Sequence, residues 1–183
     1  MNTKNNQRFR DTEIRIEAAM LKLLKENEFK TITVKRICET AKVNRSTFYA
    51  HFTDIYDMLD KMETYLYQEL NQCYEKNNKS SDSPLVIFLR HIKKHQYFYR
   101  IALHAKKEFP LAHGYEPFWN QIMESKSKKD SLSENEKMYH YIFFQAGFTM
   151  ILKHWLDRDC IESETEFAKI IENSIFFSYY PDK

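Results

Sequence analysis

The sequence predicts an all-α protein. Only two glycines and four prolines occur in 183 residues, so the regular strand-and-turn punctuation of a β protein is missing. Apolar residues instead recur at helical spacing along most of the chain. Two Ser-x-x-Glu capping boxes, Ser133 to Glu136 and Ser163 to Glu166, each precede an amphipathic run and predict helix starts.

Residues 1–54 predict a domain of three helices. The first runs from about 11 to 25, where apolar residues alternate with charges at a helical period. Thr33 is a suitable N-cap for a second helix that ends near residue 40, and Asn44 is a suitable N-cap for a third. Two short helices joined by a tight turn form a helix-turn-helix.

The third helix has two different faces. Phe48 and Phe52 lie four residues apart and therefore face the core together, whereas Ser46, Tyr49 and Ala50 point away from it. The small Ala50 lets the helix approach base edges, and Arg45 at its start is the natural bidentate donor to guanine O6 and N7. This pattern predicts a helix that enters a DNA major groove.

The charge distribution supports the same assignment. The chain has a net charge of +2, but the first 52 residues contain eleven basic and six acidic side chains, against 17 and 20 in the remainder. A polyanionic partner such as double-stranded DNA would therefore meet the N-terminal quarter.

Residues 55–183 predict a C-terminal helical domain for dimerisation and effector binding. A long helix begins near Asp54 and ends near residue 75, and further helices are predicted over 84–107, with a break near His95, and 115–124. The last two helices are predicted over 134–157 and 164–179. The segments 77–83 and 126–132 are polar and predict loops.

The last two helices carry wide apolar stripes. Such stripes can be covered within one chain or across a two-fold axis, and paired DNA-reading units favour a homodimer because they need a fixed half-site separation. A glycine inside a helix also suggests close approach of another helix. The candidate interface residues are Gly147, Leu152, Trp155, Ile171 and Ile175.

Several other classes of protein lack support in the sequence. The three cysteines are widely separated and form no C-x-x-C pair, which favours reduced thiols and a cytoplasmic location. The N-terminus has no apolar stretch that could act as a signal peptide, and the longest apolar run, residues 141–152, is shorter than the roughly 20 residues that a membrane span needs. Without a glycine-rich phosphate loop or a nucleophile elbow, the sequence predicts neither an enzyme nor a bound cofactor.

One histidine pair has the spacing of a metal site. His91 and His95 lie four residues apart on a predicted helix, so both imidazoles could reach one ion. The alternative is an exposed pair beside Lys93 and Lys94, and the sequence favours it. The sequence-based prediction is therefore that no metal is bound.

Together, the N-terminal residues resemble the TetR/AcrR family of transcriptional regulators. Residues 10–60 match that family in type and order, at an Ile-led stretch of the first helix and then at Phe29, Thr33, Ile37, Ala41, Val43, Thr47, Phe48, Tyr49, His51, Phe52 and Leu59. A weaker C-terminal resemblance rests on Gly147 and, eight residues on, the pair Trp155-Leu156.

The resemblance implies an all-α homodimer, usually a repressor, with a C-terminal pocket for a small effector. By position, it implies groove contacts at Lys35, Arg45 and Ser46 and phosphate contacts at Thr33, Thr47, Tyr49 and His51. The C-terminal aromatic residues are either plain core or the wall of a pocket for a flat or apolar effector. The candidate pocket residues are Phe98, His104, Trp119, Phe144 and Phe148.

The chain departs from the family pattern at three positions. Glu28 and Lys42 stand where glycine is common, and Ile55 replaces a lysine that usually contacts phosphate. One lost phosphate contact makes the salt dependence of binding shallower by about one unit. Lys42 and Ile55 also keep open a second interpretation, a helical dimer that acts mainly through protein contacts, such as a co-activator.

Overall fold

The computed structural model describes residues 3–77, 82–105, 114, 116–127 and 133–179. Within these residues the chain forms nine α-helices and one short 3-10 helix and contains no strand, which confirms the all-α prediction. The chain divides into two compact units, residues 1–66 and 67–183. The division between these units falls inside the long helix that the sequence predicted from near residue 54 to near residue 75.

The N-terminal unit consists of three helices and the first half of a fourth. Their bounds are α1 Thr3–Glu26, α2 Val34–Ala41, α3 Arg45–His51 and α4 Ile55–Asn77. A 3-10 turn, Phe29–Thr31, connects α1 to α2 and was not predicted. Helix α1 also begins about two turns earlier than the apolar periodicity indicated.

Side-chain caps define α2 and α3. The Thr33 hydroxyl accepts a hydrogen bond from the Arg36 amide at 3.3 Å, and Asn44 Oδ1 accepts one from the Thr47 amide at 2.7 Å. Between them, Lys42 ends α2 in the left-handed region, at φ 54° and ψ 48°. A residue with a Cβ atom pays about 1–2 kcal/mol in this conformation. Glycine avoids this cost and is therefore favoured at the position, while the cost is small enough for lysine to be tolerated.

The core of the N-terminal unit lies between α1, α2 and α3. Both predicted inward residues of α3, Phe48 and Phe52, are almost fully buried. They are joined in the core by apolar side chains of the other helices, including Ile16, Met20, Ile37, Cys38, Met58 and Leu59. This packing fixes which face of α3 is left on the surface.

Glu17 on α1 is a half-buried carboxyl group with an unusual pKa. Burial, and then the negative charge of Glu13 one turn earlier, raise the pKa of Glu17 to about 7. The folded protein therefore binds more protons than the unfolded chain between about pH 4.5 and 7. The free energy of unfolding consequently falls as pH rises through that window.

We expect Glu17→Gln to raise the free energy of unfolding at about pH 8 by roughly 1–2 kcal/mol after allowance for partial solvent screening. Below about pH 4.5 the gain should vanish, because the native carboxyl is then neutral too. Urea unfolding across this pH range measures the difference. Glu13→Gln, which removes only the smaller cause, is the control and should give a smaller gain. An equal gain for Glu17→Gln at both ends of the range would contradict the assignment.

The C-terminal unit contains the second half of α4 and five further helices. Their bounds are α5 Pro84–Lys94, α6 Gln96–Ala105, α7 Glu116–Ser127, α8 Glu134–Asp157 and α9 Glu164–Tyr179. Helix α5 packs against α6, α7 and α9, and α6 packs against α8. The predicted break at His95 is confirmed, since this residue separates α5 from α6. No helix among the described residues combines the length and the apolar character that a bilayer span requires.

Both capping boxes are formed. In the first, the Glu136 amide donates to Ser133 Oγ at 3.3 Å and the Ser133 amide donates to Glu136 Oε2 at 2.8 Å. The second repeats this exchange between Ser163 and Glu166. These local bonds place the starts of α8 and α9 where the sequence predicted them.

Three of the residues predicted at the dimer interface instead belong to the core of a single chain. Leu152, Trp155 and Ile171 are each no more than 1% exposed. The Trp155 ring stacks on Phe167, with ring centroids 4.5 Å apart, and its indole N–H donates to the Glu162 carbonyl. These three side chains are therefore covered by their own chain, and they are not exposed to a second copy in this structure.

The opposite face of α8 is exposed and apolar. Gly147 lies on it, and a Cβ added there would meet no atom within 4 Å. Close approach within the chain therefore does not account for this glycine. The exposed side chains that surround it on α8 are Tyr139, Ile142, Phe143, Ala146 and Met150, which we call the α8 stripe. The side chain of Ile175 lies outside the described residues.

Candidate nucleic-acid interface

The exposed face of α3 carries the residues that the sequence singled out. Arg45 and Ser46 in its first turn are exposed, Thr47 is half-buried, and Tyr49 is 56% exposed. The Tyr49 ring packs edge-on against Phe48, with centroids 5.5 Å apart, so the buried phenylalanine orients the exposed tyrosine. Ala50 beside it is also exposed. The surface is basic at its start, hydroxylated in its first turn and low in profile at its centre.

Asn44 organises the hydroxyl groups of this surface. Its Oδ1 accepts hydrogen bonds from the Ser46 hydroxyl, the Thr47 hydroxyl and the Thr47 amide, each at 2.7 Å. The amide bond alone satisfies the cap, so either hydroxyl can redirect its proton to a phosphate oxygen while the helix start remains capped. The first turn of α3 is thus both fixed in place and able to donate.

The start of α2 supplies a second group of donors. Thr33 is exposed, and its hydroxyl accepts from the Arg36 amide, so the hydroxyl proton can still be donated to an anion. Lys35 lies 3.9 Å from Glu39, and both side chains are mostly exposed. A pair of this kind contributes at most about 1 kcal/mol, so Lys35 can leave it for a stronger anionic partner.

His51 is placed differently from the other six candidates. It is only 7% exposed, because the Phe9 ring of α1 covers it at a centroid distance of 3.8 Å. Burial lowers the pKa of His51, and its Nδ1 atom is buried with no hydrogen-bond partner among the described residues. A phosphate can reach this imidazole only if Phe9 moves aside.

Two basic residues position the surface rather than belong to it. Arg36 donates to Asn27 Oδ1 at 2.9 Å and to the Thr31 carbonyl, which ties α2 to the end of α1. Lys61 on α4 donates to the His51 carbonyl at 2.7 Å and caps the end of α3. Sequence reasoning missed both roles, because each depends on a partner in another element that periodicity does not identify.

The C-terminal pocket candidates divide into three groups. Trp119, Phe144 and Phe148 pack together, with ring centroids 4.9 Å apart for the first pair and 5.2 Å for the second. Phe98 is buried and packs edge-on against Tyr99, in a separate contact. The side chain of His104 lies outside the described residues. The structure thus brings three of the five candidate pocket residues into one aromatic cluster.

A basic recognition surface on the second of two short capped helices defines a DNA-binding protein of the helix-turn-helix class. Residues 16–62 match bacterial regulatory proteins of the tetR family, and residues 79–176 match a transcriptional regulator C-terminal region. The chain belongs to the TetR family and is a DNA-binding transcriptional regulator. No curated protein matches the chain.

Solved structures share the fold across nearly the whole chain. A TetR transcriptional regulator from Streptococcus agalactiae 2603V is 20% identical, with 96% of this chain and 99% of that chain covered and a TM-score of 0.68. The fatty acid degradation regulator FadR from Bacillus halodurans is 14% identical over 90% and 94%, with a TM-score of 0.65. The dihydroxyacetone kinase operon activator DhaS is 24% identical over 91% and 95%, with a TM-score of 0.59.

Proposed function

We propose that this chain is a homodimeric repressor that binds a pseudo-palindromic operator through one α3 helix per subunit. The observation that carries the proposal is the exposed, Arg45-led face of α3, held outward by the burial of Phe48 and Phe52. Repression is the usual outcome in the family, since a dimer seated on an operator obstructs transcription.

The candidate residues divide between two roles in this proposal, base contacts and phosphate contacts. Arg45 reads a guanine through O6 and N7, with Lys35 and Ser46 beside it at the base edges. The hydroxyls of Thr33, Thr47 and Tyr49 bind phosphate oxygens and set the register. His51 joins them once Phe9 has moved away from its ring.

The α8 stripe is the proposed dimer contact. Its four large side chains remain half or more exposed in the single chain, among them Phe143 at 65% and Met150 at 64%. A contiguous exposed apolar patch of this kind marks an interaction surface. A two-fold axis at the stripe would bring Gly147 against its copy and would compensate the cost of about 1 kcal/mol that a glycine imposes inside a helix.

Release by a small effector is the remaining part of the proposal. The cluster of Trp119, Phe144 and Phe148 joins α7 to α8, and a flat, apolar molecule inserted among these rings would separate the two helices. An effector can change operator affinity only if it binds two arrangements of the dimer unequally. The pocket candidate Phe98 lies on α6, which also packs against α8.

Selection of bound sequences from random duplex DNA by the purified protein tests the function. We expect an enriched inverted repeat whose half-sites lie one helical turn, about 34–36 Å, or a multiple of it apart. Binding should weaken steeply with salt, by about 0.9 logarithmic units per phosphate contact for each tenfold increase. A chain that enriches no sequence and shows no salt-sensitive DNA binding, yet retains a stoichiometric protein partner, would instead be the co-activator that Lys42 and Ile55 keep open.

A further inference from the structure

Three side chains of the C-terminal unit converge where α4, α5 and α6 meet. Glu69 lies on α4, His91 on α5 and His95 between α5 and α6, and one ligand-type atom from each lies within 4.8 Å of the other two. The two imidazole rings are 4.8 Å apart, and His95 Nε2 lies 3.2 Å from Glu69 Oε1. The sequence favoured an exposed histidine pair. That prediction is wrong, since His91 is 3% exposed and His95 is half-buried.

The two ring nitrogens of His91 have different surroundings. Its Nε2 lies 3.1 Å from the Tyr99 hydroxyl, whereas its Nδ1 is buried with no hydrogen-bond partner among the described residues. A histidine that coordinates through one nitrogen typically hydrogen-bonds through the other, and Tyr99 provides that second contact.

We propose that Glu69, His91 and His95 form a binding site for a divalent transition-metal ion, with Zn²⁺ as the preferred ion. Two imidazoles and one carboxylate suit Zn²⁺ and its neighbours, whereas Mg²⁺ and Ca²⁺ prefer oxygen ligands alone. A tetrahedral zinc ion with ligands at about 2.0–2.1 Å needs ligand atoms roughly 3.4 Å apart. Side-chain rotation must therefore shorten the widest separation, 4.8 Å, by about 1.4 Å, whereas the Glu69–His95 pair, at 3.2 Å, is already close enough.

Lys94 is the cation that now neutralises Glu69. Its Nζ lies 2.6 Å from Glu69 Oε1, but its side chain is 65% exposed and can turn into solvent when an ion arrives. The competing interpretation is a purely structural network in which Glu69 accepts hydrogen bonds from Lys94 and His95 and His91 pairs with Tyr99. That network requires the same contacts but predicts no affinity for metal.

Titration of the metal-free, full-length protein with Zn²⁺ separates the two interpretations. Calorimetry should show one ion bound per chain, and Co²⁺ should give visible absorption typical of nitrogen and oxygen ligands without thiolate transitions. Removal of a contact that only supports a metal ligand typically lowers metal affinity by about 10- to 100-fold, and removal of the ligand itself should lower it further. We therefore expect Glu69→Gln and His95→Gln each to weaken Zn²⁺ binding by about 100-fold or more. Tyr99→Phe should weaken it by about 10- to 100-fold.

Three further variants serve as controls. Lys94→Ala removes the competing cation and should strengthen binding. Cys73→Ser lies one turn along α4 from Glu69, outside the cluster, and His154→Gln replaces an exposed histidine of α8, so neither should change the affinity. Circular dichroism verifies that each variant is folded, and His95→Gln keeps the test decisive if Glu69→Gln unfolds.

The proposal is overturned by any of three results. These are no Zn²⁺ binding by the unsubstituted chain, binding that survives both Glu69→Gln and His95→Gln, and thiolate absorption that disappears in Cys73→Ser. The measurement uses no DNA, and the operator selection uses no metal, so the two proposals can fail separately.

Discussion

Gly147→Arg is expected to convert the proposed homodimer to a monomer and to weaken operator binding by at least about 100-fold, or roughly 2.7 kcal/mol. The single chain has room for the new side chain, since a Cβ at this position meets no atom within 4 Å. Arginine also favours helix more than glycine does, by almost 1 kcal/mol. If the α8 stripe were simply solvent-exposed, the substitution would stabilise the protein and change nothing else.

Across a two-fold axis the consequences are the opposite. Each subunit would place a bulky cation at the same point of a shared apolar surface, where it meets the partner's copy and is removed from water. A monomer presents one reading helix and releases about half as many counterions from DNA, so the salt dependence of binding should become shallower as the affinity falls.

Light scattering and an operator-binding assay at several salt concentrations measure these effects. Gln72→Arg is the matched control, because it introduces the same side chain at an exposed position of α4, away from the stripe. It should leave the dimer and its operator affinity unchanged. A Gly147→Arg protein that remains dimeric with full operator affinity would exclude the α8 stripe as the interface.

Local chemistry explains why the helix boundaries could be predicted from the sequence. Thr33, Asn44, Ser133 and Ser163 each cap a helix through an atom no more than three residues away. The start of α1 could not be found in this way, since the early part of the helix includes Phe9, which packs on a ring of α3 that is distant in sequence.

What the sequence could not reveal about the candidate sites has one physical cause. Periodicity shows that α8 is apolar over a wide arc, but it cannot show which half of that arc meets the chain's own core. Trp155 and Leu152 fell on the inner half, and Gly147 fell on the outer half. In the same way, the spacing of His91 and His95 does not reveal that Glu69, more than 20 residues earlier, completes their cluster.

For α3, by contrast, the outward face could be predicted from the sequence because two phenylalanines fix the inward one. Arg45 projects from this face and forms no ion pair among the described residues, so it is available to a base edge. Arg45→Ala should therefore cost about 1–3 kcal/mol of discrimination between the selected operator and a variant with the contacted guanine replaced. Because each subunit of the proposed homodimer would supply one such contact, the loss should appear at both half-sites.

Two other exposed basic residues provide the comparison. Lys35→Ala removes a second candidate groove contact, whereas Lys22→Ala removes an exposed charge of α1 outside the candidate surface and serves as the control for net charge. Competition binding against operator and mismatched duplexes measures each ratio. Arg45→Ala should lower the affinity for operator far more than the affinity for unrelated DNA, and Lys22→Ala should lower both slightly and equally. If discrimination survives in Arg45→Ala, the guanine-reading role of α3 is wrong, even if the protein still binds DNA.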